Sequence, residues 1–255
     1  MIRSLYTAVS GMIAMESKQN TVTNNMANAN TTGYKSQNLC TKSFDEVLLQ
    51  NMDKVTNGAN KRQELGKLSL GVAIDTVNTK FTQGDFKETG NVGDLAIDGR
   101  GFFAVKSGDQ TFYTRDGQFR VNNQGNLANN SGDLLLGINT TTGVMEPINI
   151  DTDDFIVDKY NNVYANGVAT HKVAIADFAD YASLKKAGDN YYTGGNPTYI
   201  QNATIHQKSL EASNVNITNE MVDMLTVMRN FESAQKFVSM IDESMGKAAN
   251  EVGKV

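Results

Sequence analysis

Apolar residues at the two ends of the chain recur at alternating three- and four-residue steps. Between residues 5 and 29 the positions are Leu5, Ala8, Met12, Met15, Gln19, Val22, Met26 and Ala29. Between residues 217 and 252 they are Ile217, Met221, Met224, Met228, Phe231, Gln235, Val238, Asp242, Met245, Ala249 and Val252. That spacing keeps one stripe of an α-helix turned towards a neighbour. It predicts one helix from about Ser4 to Thr32 and another beginning between Asn216 and Asn219. Gly33 is expected to close the first by adopting the left-handed conformation. Polar side chains at 216–219 are expected to cap the second, with Glu220 and Asp223 at the positive end of its dipole. Neither helix has a single stripe. Ile2, Tyr6, Val9 and Ile13 form a second row on the first, and Val222, Leu225 and Val227 widen the apolar face of the second. A helix that is apolar on more than one stripe implies more than one neighbour.

Between the ends the period shortens. Leu95-Ala96-Ile97 and Phe102-Phe103-Ala104-Val105 flank Asp98-Gly99-Arg100-Gly101, which reads as a hairpin turn. Thr111 to Thr114 and Phe119 to Val121 flank Asp116-Gly117, a pair with a strong hairpin tendency. Further turns are expected at Asn123 to Asn126, Asn130 to Asp133 and Ala165 to Gly167. Short strands at this turn density predict an antiparallel barrel or sandwich. The expected fold class is therefore α+β: long N- and C-terminal helices packing as a coiled-coil layer, with a central antiparallel β-rich domain. The corresponding boundaries are 1–33 and 214–255 for the terminal helical assembly domain, 34–67 for an extended connector and 68–213 for the β-rich domain. The polar stretch from Asn51 to Gly66, with few apolar anchors, is the core of that connector.

Composition sharpens the division. Nine of the eleven Met lie at the ends, and 17 of the 20 Phe and Tyr lie between residues 34 and 212. Methionine is flexible and polarizable, which suits a surface that meets several slightly different neighbours; aromatics suit strands. The formal charge of −5, with no basic stripe, excludes a nucleic-acid partner. No apolar run approaches the roughly 20 residues that cross a bilayer. After Arg3 the apolar residues stand at helical intervals and form no solid block, so no cleavable leader is expected. Cys40, the single cysteine, cannot form an internal disulfide.

Catalytic and metal chemistry is sought without success. His171 and His206 are the only histidines, and neither has Cys or carboxylates at ligand spacing, so no zinc site is expected. Asp151, Asp153, Asp154 and Asp158 imitate a calcium loop, but Phe155, Ile156 and Asn162 stand where an oxygen ligand, a glycine and a glutamate are needed; a solvated acidic turn is the better reading. Gly99-Arg100-Gly101 leads into another strand and not a helix, which excludes a dinucleotide loop. No nucleophile elbow, Walker sequence or Cys/His nucleophile is found. A spatial pair of carboxylates for glycoside cleavage stays open at this level. No cofactor is expected.

The ends carry more than periodicity. Asn24-Asn25-Met26-Ala27-Asn28-Ala29-Asn30-Thr31-Thr32-Gly33-Tyr34-Lys35 resembles the N-terminal signature of the bacterial flagellar rod and hook family. Ser213-Asn214-Val215-Asn216, followed by Glu220 to Met224 and Arg229-Asn230-Phe231-Glu232, resembles its C-terminal signature. Gly90-Asn91 through Asp94 to Ile97, Gly101-Phe102-Phe103 and Tyr113 to Gly117 are similar to its middle, in order. The resemblance implies an axial structural protein of the basal body, with no catalytic residues. Its terminal helices would polymerise as the inner layer of a helical tube that transmits torque from motor to hook. Implied partners are copies of itself, other rod and hook proteins, and the flagellar export apparatus, through which it would leave the cell without losing a leader. At this length the chain resembles rod members of the proximal or distal type, and the two signatures do not separate them.

The interface residues so implied are Leu5, Met12, Met15, Val22 and Met26 against Met221, Met224, Met228, Phe231 and Val238. Asn25, Asn28, Thr31, Gly33, Tyr34 and Lys35 would shape the exit from helix to connector. Ser213, Asn214, Val215, Asn216 and Arg229 form the C-terminal counterpart. Spacing alone leaves other readings open: apolar stripes also suit an ordinary core against the chain's own β region. Rivals of other classes are an envelope-displayed enzyme acting on peptidoglycan and a periplasmic adaptor whose helices form a hairpin within one subunit.

Overall fold

The computed structural model describes residues 2–51, 55–56, 59–60, 63–150, 155–188, 190–200 and 203–252. The chain forms two compact units. One, the terminal unit, comprises Met1–Met26, Gln37–Asn78 and Asn216–Val255; the other, the β-body, comprises Ala27–Ser36 and Thr79–Val215.

In the terminal unit, α1 spans Ile2–Ala27 and α2 spans Ile217–Lys247. A single wider helical turn, Ala248–Val252, follows α2. Asn216 caps α2 from extended backbone, its side chain accepting the Asn219 N–H at 3.2 Å. α1 stops about five residues short of the end that periodicity predicts. Asn28 and Thr31 compete with the helical ladder: the Thr31 N–H and hydroxyl both turn back to Asn28, each at 3.2 Å. Between the helices, the strand Gln37–Ser43 pairs with Val72–Thr79, and Val47–Asn51 pairs antiparallel with Gln63–Leu68. The polar stretch expected as a connector thus has paired strands on both flanks, while 52–54, 57–58 and 61–62 lie outside the described residues.

The expected fold class needs correction. The described structure is mostly strand, with 23 strands against two long helices, and a coiled-coil layer of those helices is only partly seen. α2 buries only Val227 and Ile241 among its described residues. Among its described residues α1 buries only Ala14, Val22 and Asn25. A knobs-into-holes seam would bury an apolar side chain at every a and d position. Here α1 divides its covered surface. Thr7 donates to the Leu70 carbonyl at 2.9 Å, and Ser10 Oγ accepts the Val72 N–H at 3.3 Å. That approach needs Gly71: at φ +154° a Cβ would lie 2.5 Å from Ser10 Oγ and 2.8 Å from the Phe44 ring.

In the β-body, 13 strands join one antiparallel sheet. Its main path runs through 155–157, 162–165, 168–173, 134–139, 102–107, 110–114, 191–193 and 185–188. The central strand, Phe102–Ser107, is buried on both faces over its first four residues. Side-chain alternation sends Phe103 and Val105 into one apolar layer with Leu95, Phe119, Leu135 and Ile148. Phe102 and Ala104 enter a second layer with Tyr113, Leu136, Phe178 and Tyr192. Phe81 meets Phe102, Tyr181 and Tyr192 edge-on at 5.2–5.6 Å between ring centres.

Some turns form as expected. Asn166 and Gly167 both have positive φ and join Asn162–Ala165 to Val168–Val173, as a primed two-residue hairpin requires. Two expected hairpins do not form. Leu95–Asp98 pairs with Thr204–Gln207 and not with Phe102–Ser107, so Gly99 to Gly101 is a bend between separate ladders. Gln110–Thr114 does not pair with Phe119–Val121 across Asp116-Gly117; the latter pairs with Leu127–Asn129, and the Gly117 carbonyl accepts from Leu95.

Candidate assembly surface and motif junction

Apart from Gly246, the positions on α2 that the fold covers, wholly or in part, are Glu220, Met224, Val227, Phe231, Ala234, Val238, Ile241 and Met245. This strict four-three alternation shares Met224, Phe231 and Val238 with the stripe read from sequence. Met221 and Met228 fall outside it, on a face where they are 50% and 39% exposed. On α1, Val22 is buried, and Leu5, Met12, Met15 and Met26 are half-buried. Arg229 is exposed, as is Asn216 at the cap. Beyond the covered rows, Tyr6, Val9 and Ile13 on α1 and Ile217, Met221, Val222, Leu225 and Met228 on α2 stand open.

Asn25 joins three segments of the terminal unit. Its amide donates to the Gln37 carbonyl at 2.8 Å and accepts the Gln37 N–H at 2.9 Å. It also donates to Glu220 at 3.2 Å. Its buried side chain thereby satisfies both backbone groups at the start of a strand. Burial pushes the Glu220 carboxyl above its ordinary range, opposed by the bond from Asn25.

In the β-body, the N-terminal and C-terminal motifs converge. Gly33, at φ +65°, donates its N–H to the Glu211 carbonyl at 2.8 Å; a Cβ there would lie 2.4 Å from the Arg115 carbonyl carbon. Thr32 donates to Asp116 at 2.8 Å and accepts Asn190 on its carbonyl at 2.9 Å. Burial raises the Asp116 carboxyl, against the Thr32 bond that lowers it. Tyr34 is buried under the Lys186 ammonium, 4.4 Å from its ring centre. Asn214 accepts the Ser36 N–H at 2.8 Å and donates to the Lys80 carbonyl at 2.7 Å. Ser213 and Val215, on either side, are half-buried.

At the centre is a buried ionic triad. Lys35 bonds Glu211 directly and donates to the Thr82 carbonyl at 2.9 Å. Glu211 also accepts Arg115 at 3.1 Å and the Gly84 N–H at 3.0 Å. Arg115 reaches the Gly99 carbonyl at 2.6 Å and lies over the Phe102 ring. Burial lowers the Lys35 ammonium from its ordinary value, with Glu211 working in the other direction. One carboxylate thus serves two cations, and backbone groups complete the set. It pins the 28–36 segment, the 113–117 turn and the strand Ser209–Glu211 together. Sequence reading singled out Lys35 but not Glu211. Arg115 appeared only inside a resembling segment, and Glu220 only inside another and as a dipole residue.

Among the described residues no group of three His, Cys, Asp or Glu could hold a metal ion. Asp151, Asp153 and Asp154 of the calcium-like run lie outside the described residues. No helix of the described residues is long and apolar enough to cross a membrane.

Comparison with known proteins covers both ends and the middle. Residues 5–35 match the family described as flagella basal body rod protein. Residues 96–169 match the flagellar hook protein FlgE/F/G D1 domain, and residues 206–251 match the flagellar basal body rod FlgEFG protein C-terminal family. The chain is 34% identical to the flagellar basal-body rod protein FlgG of Agrobacterium fabrum, over 95% of this chain and 96% of that protein. It is 30% identical to the flagellar basal-body rod protein FlgF of Caulobacter vibrioides over the full length of both. It is 29% identical to the flagellar hook-basal body complex protein FlhO of Bacillus subtilis, also over the full length of both. With its terminal motifs, its middle and its whole length matching in this way, the chain belongs to the family of flagellar basal-body rod and hook proteins.

Proposed function

We propose that this structural subunit of the flagellar rod assembles with copies of itself, and with other rod and hook proteins, through the apolar faces its terminal helices leave open. The resulting helical tube would pass torque from motor to hook. The observation that carries the reading is where large apolar side chains stay exposed. Of 22 such residues among those described, 17 belong to the terminal unit. Exposed apolar side chains gathered on one unit mark a contact surface, since scattered ones would need no explanation. Their spread over both helices and the intervening strands suits a subunit with several neighbours. A mechanical role needs no turnover, and no residue is assigned a catalytic part. Export through the flagellum's own channel belongs to the same reading.

The test is complementation of a strain lacking the gene, using the full chain carrying Val222→Asp. Val222 is 57% exposed on α2, so the carboxylate is hydrated in the free chain and becomes a buried, unpaired charge at the proposed contact. The expected result is non-motile cells from which no rods can be isolated, while the purified variant keeps the hydrogen-exchange protection of its β-body. Normal motility with intact rods would overturn the proposal. Release of soluble fragments from purified peptidoglycan would favour the enzyme reading in its place.

A further inference from the structure

The exposed rows of the two helices differ in place as well as in composition. On α1 the open apolar residues are Tyr6, Val9 and Ile13, and Tyr6 is 68% exposed. Their 3-4 spacing sets them on one ridge, on the side of α1 opposite Val22 and Asn25. On α2 the matching ridge is Ile217, Met221, Leu225 and Met228, with Leu225 57% exposed. It begins beside Glu220, which touches Asn25. The α1 ridge lies 12 to 19 residues before Asn25, roughly 20–30 Å along the helix. The two ridges are therefore unlike surfaces in separate places on one unit.

Their flanking charges match in one orientation. The α1 ridge is preceded by exposed Arg3 and followed by exposed Glu16. The α2 ridge starts at the helix N-terminus and is followed by exposed Glu232. Antiparallel docking that sets Val9 against Leu225 also sets Tyr6 against Met228 and Ile13 against Met221. In that register Arg3 meets Glu232, and Glu16 meets the positive end of the α2 dipole. Among the described residues, neither Arg3 nor Glu232 forms an ion pair within the chain.

We infer that the Tyr6–Val9–Ile13 ridge of one copy docks antiparallel on the Met221–Leu225–Met228 ridge of the next copy, giving the head-to-tail contact that propagates the assembly. The inference rests on the proposed function and adds its partner, register and direction. Because the two surfaces differ, the contact is heterologous, and copies added through it extend in an open series unless the rotation closes a ring.

Two experiments on the full chain, in cells lacking the native gene, test the pairing. In a Cys40→Ser background, Val9→Cys and Leu225→Cys are combined, and isolated basal bodies are treated with a short bismaleimide. A ladder of covalent dimers, trimers and longer species is the expected result, absent from either single-cysteine strain. A cross-linked monomer alone would mean that the ridges meet within one chain. Dimers from Leu225→Cys alone would mean a self-complementary contact. Either result overturns the inference, as does the absence of cross-links in basal bodies that contain the protein, and the rod reading survives all three. Failure of the Cys40→Ser chain itself to enter basal bodies would overturn both. The second experiment is charge reversal. Arg3→Glu and Glu232→Arg should each reduce motility to the level of the empty vector, and the double variant should recover it. Recovery by neither combination, with each protein stably expressed, rejects the register.

Discussion

The β-body holds 29 of the 34 hydrophobic residues buried among those described, and the terminal unit holds five. For large hydrophobic residues left exposed the ratio reverses, with 17 in the terminal unit and five in the β-body. Burial of apolar area is the main favourable term in folding. The β-body therefore completes its own core, with two layers packed on the strand Phe102–Ser107. The terminal unit leaves much of the equivalent term to be gained by association, which stabilises whatever state binds. One chain contains a finished part and a part that, on the proposed reading, its neighbours would finish, and polar groups fasten each internally: the Lys35–Glu211–Arg115 triad in one, Asn25 in the other.

The largest effect that would sharpen this comparison comes from Glu211→Gln. The glutamine keeps the shape but leaves Lys35 and Arg115 as buried cations without a counter-charge. Lys35 can shed its proton; Arg115 cannot. Removing one partner from a buried ionic cluster costs about 3–5 kcal/mol. Denaturant unfolding followed by hydrogen exchange should show that loss in β-body amides, with the terminal unit unaffected. Lys35→Met should cost less, because Glu211 keeps Arg115. Equal losses for the two variants would mean that the triad is not centred on Glu211.

A smaller change of the same kind is Asn25→Ala, directed at the terminal unit. It strands the Gln37 N–H and carbonyl and removes a bond to Glu220. Leaving buried backbone groups unpaired costs about 1–3 kcal/mol. Exchange protection should fall along Gln37–Ser43 and its partner Val72–Thr79 and stay constant in the β-body. Loss of protection in the β-body sheet would break the division into independently fastened parts.

How much of this was legible in the sequence follows from the range of the interactions. Helix positions, the Asn216 cap and the Asn166-Gly167 hairpin rest on neighbours a few residues apart, and the local pattern shows them. The register of the α2 stripe was half legible. Met224, Phe231 and Val238 fit either alternation of threes and fours, and Val227 and Met228 are equally apolar, so nothing local chooses between them; the covered row takes Val227, Ala234 and Ile241. The hairpin at Asp116-Gly117 was overruled by distant partners, Leu95 for the Gly117 carbonyl and Thr32 for Asp116. The triad was not legible at all. Glu211 lies 176 residues from Lys35 and 96 from Arg115, and a single carboxylate has no periodicity. The coiled-coil expectation failed because Thr7 and Ser10 on α1 bind strand backbone, which the heptad pattern does not record.

The smallest effect, counted per group and per pH unit, is alkaline sensitivity, and it separates the two units through their tyrosines. Tyr113, Tyr181, Tyr191 and Tyr192 lie in the β-body, and burial raises the pKa of each, that of Tyr191 to about 12. The terminal unit has one tyrosine, exposed Tyr6. An unfolded tyrosine titrates near 10. Above that pH the folded β-body binds more protons than the unfolded chain, so its stability falls as pH rises. Each group contributes at most about 1.4 kcal/mol per pH unit while its folded form stays protonated. For Tyr191 the window runs from about pH 10 to about 12. Lys35 works the other way at lower pH. Its lowered pKa means that the unfolded chain binds the extra proton below about 10.4, so stability rises towards that value before the tyrosines reverse it. The chain has no tryptophan, so tyrosinate absorbance can be read against hydrogen exchange during an alkaline titration. The buried tyrosines should ionise together, in one step with loss of β-body protection. Gradual ionisation of all nine tyrosines with the β-body still protected would show that its aromatic layer is open to water, and the comparison between a finished and an unfinished unit would fail at its stronger side.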